Sequence, residues 1–115
     1  MRYMLQVYFN GAQQGLAELP ESERQAIVEE YEAFFASPEV VDGNQLQPPA
    51  TATTVSIHNG EIVRDAGPFA DAPLGGYYLV EAADLDAAVE LAACVPAARI
   101  GGVIDVRPVV ERDGP

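Results

Sequence analysis

The chain of 115 residues carries few side chains able to do chemistry, and they fall into two groups. Asp65 and Asp71 flank Gly67-Pro68-Phe69 in a turn-rich stretch, and Asp105 and Arg107 stand two apart in an apolar run near the end. A carboxylate in an apolar cavity has its pKa moved toward neutrality, the condition under which it shuttles protons at ordinary pH. Asp65, Asp71 and Asp105 are therefore the candidate acids and bases. Residues two apart on a strand share one side, so Asp105 and Arg107 are set to pair, which would keep the carboxylate ionised and make it a poor base. Arg107 alone offers a planar fork for a carboxylate or phosphate, and Tyr8, Tyr77 and Tyr78 offer amphipathic walls with hydroxyl donors. Together with Gly67, Pro68 and Phe69 they form the expected ligand-binding set.

Two reactive residue types occur once each. His58 stands on the polar side of a strand beside a turn, and is read as an exposed histidine rather than a ligand or base. Cys94 lies in an alanine-rich helical stretch and is read as a small packing residue rather than a reactive thiol. A single cysteine also excludes an internal disulfide and fits a reducing compartment. The sequence holds no Cys/His cluster for zinc, no phosphate-cradling glycine loop after the first strand, no Gly-x-Ser-x-Gly turn and no carboxylate calcium loop. No metal or cofactor is expected.

The elements that must position these groups follow from periodicity. Arg2 to Phe9 reads as a strand, with Tyr3, Leu5, Val7 and Phe9 on one side and Met4, Gln6 and Tyr8 on the other. Neither side is polar enough for water, so it is expected to be covered on both. Asn10-Gly11 breaks it, and a polar connection follows. From Pro20, at the first helical position, Ile27, Val28, Tyr31, Phe34 and Phe35 mark one stripe of a helix that Ser37-Pro38 stops. Ser22 and Gln25 offer a capping box. Glu39 to Gln47 reads as a short strand interrupted by Asp42-Gly43, ending in an extended Pro48-Pro49 segment.

Thr51 to His58 alternates, with Val55 and Ile57 inward and Thr54, Ser56 and His58 outward. Asn59-Gly60 then predicts a hairpin with Ile62 to Asp65. Gly67-Pro68, Pro73 and Gly75-Gly76 place dense turn chemistry between that strand and the next, Gly76 to Glu81, making this loop either a structural corner or the rim of a site. Asp84 is the expected N-cap of a second helix with the stripe Leu85, Ala88, Val89 and Ala92, ended by Pro96. Val103 to Val110 is the last strand. The order predicts an α+β, ferredoxin-like antiparallel sheet with two helices on one face and an added β-hairpin. The first and last strands are apolar on both sides, so the bare face calls for a partner, most economically a homodimer closing a dimeric α/β barrel around a cavity.

Length and charge bound the rest. One domain spanning residues 1–115 is expected, with no segment long and apolar enough to cross a membrane and no cleavable leader pattern, hence a cytoplasmic protein. The net charge of −12, with six basic residues, all arginine, against eighteen carboxylates, disfavours nucleic acid and anionic membrane surfaces as partners. It serves solubility and would suit a basic protein partner.

The segments RYMLQVYF, LQPPATATTV, AGPFADAPLGGYYLVE, ELAACVPAAR and VIDVRPVVE together resemble the YCII-related proteins, in the branch named for an Asp-Gly-Pro-Phe (DGPF) motif. The resemblance spans nearly the whole chain. It implies a dimeric α+β barrel, members proposed as small enzymes or ligand binders, and, for that branch, genes often neighbouring those of alternative sigma factors. Ala66 occupies the motif's aspartate position before an intact Gly67-Pro68-Phe69. The link Ala70-Asp71-Ala72-Pro73-Leu74 lacks the family's usual charged cluster, and the helical histidine of related branches has no counterpart. Asp65, one residue earlier, points to the opposite side of an extended segment and is no direct substitute. Three functions follow as expectations: binding of a small, anionic ligand in an interface cavity, carboxylate acid/base catalysis there, or a regulatory module contacting a sigma-factor-like protein. The changed motif weighs against catalysis.

Overall fold

The computed structural model describes residues 1–9 and 12–111; the break expected at Asn10-Gly11 lies outside them. Strands β1 (Arg2–Tyr8), β2 (Val40–Gln45), β5 (Gly76–Glu81) and β6 (Val103–Pro108) form one antiparallel sheet in the order β2-β5-β1-β6. Helices α1 (Ala12–Ala17), α2 (Glu21–Phe35) and α3 (Leu85–Ala93) complete the main body. Strands β3 (Thr53–His58) and β4 (Glu61–Ala66) pair only with each other, as a separate two-stranded sheet. Without α1 and this hairpin, the chain runs β-α-β-β-α-β, the ferredoxin-like order.

Strand alternation decides which side becomes the core. Tyr3, Leu5 and Val7 of β1 are buried, and the register puts Val80 and Tyr78 of β5 and Val106 and Ile104 of β6 beside them. Phe34 of α2, Ala88 and Ala92 of α3, and Val95 close over this face in one cluster. The small alanines let α3 lie close to the sheet, and Leu5, Val80 and Val95 are fully enclosed, at 0% exposure. Asp84 caps α3 as expected, its Oδ1 accepting from the Ala87 N–H at 2.9 Å.

Several local expectations are corrected. The stretch after β1 forms the short helix α1, not an irregular connection. Pro20 is the N-cap of α2, so the helix begins at Glu21, one residue later than expected, and no capping box forms. Pro49–Thr51 is a 3₁₀ turn where an extended segment was expected. The interruption at Asp42-Gly43 is instead a register shift between Val40 and Asp42. Cys94 is exposed, because it follows α3 on the side away from Ala88 and Ala92; its Sγ lies 3.4 Å from the Glu90 carbonyl oxygen. Val28, Phe35, Leu85 and Val89 are also exposed, so the helical stripes are wider than the face one protomer covers.

The hairpin turn forms as its residues dictate, with φ 49° at Asn59 and 79° at Gly60, both in the left-handed region a type I′ turn requires. Its side chains do not turn inward. Val55 and Ile57 are 60% and 63% exposed, because among the described residues the arm's main packing is of its two strands on each other. The strand alternation was there, but alternation names two faces and does not supply a partner for either.

Candidate functional site

A cavity of about 370 Å³ lies where α1 and α2 meet the end of the sheet. Its apolar wall comes from Val7 and Phe9, Leu16 of α1, Val28 and Tyr31 of α2, Tyr78 of β5, and Ile100. Polar residues on its lining are Glu32, Asn44, Gln45 and Tyr77. Gly15 brings α1 into position: a Cβ there would sit 2.6 Å from the Ile100 carbonyl oxygen, so only glycine allows the close approach that puts Leu16 and Ile100 on one wall.

Tyr78 is fixed by an edge-to-face contact with Phe34, ring centroids 4.8 Å apart at 79°, and by a looser one with Phe35 at 6.4 Å. Burial pushes its hydroxyl above the ordinary tyrosine pKa, and neighbouring Tyr31 adds to the effect. Tyr31 is raised too, chiefly by burial, against the opposing pull of the Ala97 backbone N–H and the Arg99 charge. Both therefore remain neutral hydrogen-bonding groups at physiological pH. Because they bind protons more tightly in the folded chain than at the ordinary value of 10.0, their contribution to stability is intact below that pH. It is lost as pH rises through the elevated folded values. An alkaline titration followed by phenolate absorbance will show two late-ionising tyrosines, and Tyr31→Phe and Tyr78→Phe will each remove one.

The sheet's other face is open. Across it run two rows: Asp42, Leu79, Met4 and Arg107, then Asn44, Tyr77, Gln6 and Asp105. Tyr8 stands opposite Val103 at the end of this face. Met4, Gln6 and Tyr8 are only partly buried, so β1 is covered on its helical side alone within the protomer. Asn44 Nδ2 donates to the Tyr77 hydroxyl at 3.0 Å. Arg2 Nε donates to Glu81 Oε1 at 2.9 Å, with the chain's amino group 3.4 Å from Oε2. The Arg2 hydrogen bond is the main reason the Glu81 carboxyl is held below its ordinary range. Among the described residues, no ion pair joins Asp105 and Arg107, so the expected pairing does not form.

The residues singled out by sequence thus fall in three places. Arg107, Asp105 and Tyr8 belong to the open face and Tyr78 to the helical face and the cavity, while Tyr77, in the open-face row with Asn44, also borders the cavity at the end of the sheet. Asp65 is exposed on β4 in the separate hairpin, so it shares no sheet with Asp105. Gly67 closes the hairpin's base, its N–H donating to the Ala52 oxygen and its own oxygen accepting from Thr54 Oγ1, each at 2.8 Å. Pro68 and Phe69 border a hollow with Leu46, Pro48, Pro49 and Leu74, and Asp71 lines an adjoining one with Pro48 and Pro49. The loop is a corner with two hollows beside it, of about 410 and 340 Å³. Sequence reasoning missed Leu16 and Ile100, which show no local pattern, and read Val28 and Tyr31 only as a packing stripe.

What the cavity can do follows from its walls. It offers apolar surface, neutral tyrosine hydroxyls and amide side chains, with Glu32 the one charged residue on its lining among the described residues. Such walls favour a small ligand with an apolar body and a neutral or cationic head. Among the described residues, no group of three or more histidine, cysteine, aspartate or glutamate side chains could hold a metal ion, and no helix is long and apolar enough to cross a membrane. The family model described as YCII-related domain matches residues 1–113. No curated protein matches the chain.

Proposed function

Since the chain belongs to the YCII-related family, we propose that it is a small-ligand binder whose ligand lies in the cavity between the two N-terminal helices and the sheet. The cavity itself carries this reading: its volume of about 370 Å³ falls within the range of small-molecule sites, and its lining is mostly apolar. Binding without catalysis suits the placement of the carboxylates, since Asp65, Asp71 and Asp105 are all exposed and none lines this cavity. Arg107, on the open face, is not among the cavity's residues, so the ligand here is neutral or cationic rather than anionic.

Titration calorimetry with benzyl alcohol, benzylamine and benzoate tests this. Benzoate will bind weakest, by about fivefold, the scale of one partly screened charge contact. Glu32→Gln will remove that difference. Tightest binding by benzoate, abolished by Arg107→Ala and indifferent to Glu32→Gln, would overturn the cavity and return the site to the open face.

In the same reading the working unit is a homodimer. The protomer has an accessible surface of 8011 Å², whereas a compact monomer of 12.2 kDa has about 6,100 Å². The excess of roughly 1,900 Å² exceeds the ~800 Å² that each partner contributes to a standard interface. The radius of gyration, 16.4 Å, likewise exceeds the ~13 Å of a compact chain this long. The open sheet face, with Met4, Leu79 and Tyr77 at its centre, is the surface that a second copy would cover.

A further inference from the structure

The β3–β4 hairpin presents two different sides. Cross-strand partners share a side, so Ile57 and Ile62 stand together, with Val55 and Arg64 next to them. Val55, Ile57 and Ile62 are 60%, 63% and 69% exposed, which makes an apolar ribbon on a protruding arm. An isolated two-stranded hairpin is marginally stable in water, and three large aliphatic side chains facing solvent make it less favourable still.

We propose that this arm clasps a second copy of the chain, its apolar side lying on the partner's open sheet face and the partner's arm doing the same in return. The inference rests on the homodimer proposed above and adds the element that holds it. Dimensions fit: six-residue strands reach about 20 Å, and four strands spaced ~4.8 Å apart make a sheet of similar width. Charge fits as well. Arg64 is the one charged residue on the arm's apolar side, while the open face carries the carboxylates Asp42 and Asp105 beside the cation Arg107, and none of these three enters an ion pair among the described residues. The surface in excess of a compact monomer is of the size such a reciprocal embrace covers. Two-fold symmetry makes the contact closed, each arm meeting one sheet, with no free copy of either surface left over.

The test is analytical ultracentrifugation of the wild type and of Ile57→Asp/Ile62→Asp, whose substituted side chains face solvent in the protomer. The wild type will be a dimer, and the double variant will raise its dissociation constant by about a hundredfold or more, as charge in the centre of an apolar contact does. A second measurement does not depend on a disruptive change. A photoreactive phenylalanine analogue at Val55, in a mixture of isotope-labelled and unlabelled protein, will cross-link between chains onto peptides of β2 or β6. A monomeric wild type overturns both the dimer and the arm. An unaltered dimer in the double variant, or cross-links confined to one chain, overturns the arm and leaves a dimer made by sheet faces alone.

Discussion

Val28→Trp will weaken binding of benzyl alcohol by about tenfold to a hundredfold, or roughly 1.4–2.7 kcal/mol. Val28 lines the cavity from α2 and is 45% exposed, so a larger side chain can be accommodated at its mouth without entering the core. An indole there takes the volume the ligand needs and leaves Tyr31, Tyr78 and Phe34 in place. Thermal stability will accordingly change little, which separates occlusion from unfolding. Calorimetric titration beside a thermal melt measures both. Unchanged binding in a folded Val28→Trp protein would mean that the ligand lies elsewhere.

Leu5→Ala will lower the free energy of unfolding by about 2–5 kcal/mol. Leu5 is fully enclosed between β5 and β6 beneath the helices, with Tyr78 and Val106 as its cross-strand neighbours. Truncation removes apolar contact and leaves a cavity the central strand cannot collapse around. Against a typical total of about 5–15 kcal/mol, that is a large fraction. Urea unfolding will show the midpoint falling with little change in slope. Ile57→Ala, on the exposed arm, will change the stability of the isolated protomer far less than Leu5→Ala, although both remove an aliphatic side chain from a strand.

That contrast shows what could be read from the chain and what could not. The alternation in Arg2 to Tyr8, the Asn59-Gly60 turn and the Asp84 cap are local signals, and each forms because its cause lies within a few residues. Val55 and Ile57 alternate as clearly as Leu5 and Val7, yet only the second pair is buried in the protomer, because burial depends on what lies opposite. Helix α1 is not legible in the sequence, since six residues, one of them Gly15, carry little helical period. Its role depends on a backbone approach to Ile100, eighty-five positions away in sequence. The cavity was illegible for the same reason: Leu16, Val28, Tyr78 and Ile100 come from four separate places in the chain.

One part of the candidate set is decidable from the sequence alone. Tyr77 and Tyr78 are adjacent on a strand, so they must face opposite ways and cannot share a single wall of the sheet. The structure puts Tyr77 with Asn44 on the open face and Tyr78 against Phe34 on the helical one. The Gly67-Pro68-Phe69 corner is held by the Gly67 hydrogen bonds to Ala52 and Thr54, with Ala66 and no acid immediately before it. Its geometry therefore does not need an acid at that position.

The most direct measurement is an amide chemical-shift map of the protein titrated with benzyl alcohol. Saturable shifts concentrated at Leu16, Val28, Tyr31, Tyr78 and Ile100, with those of Asp105 and Arg107 unmoved, are the predicted result. Saturable shifts centred on Asp105 and Arg107, or no saturable shift at millimolar concentration, would contradict a ligand site between the helices and the sheet.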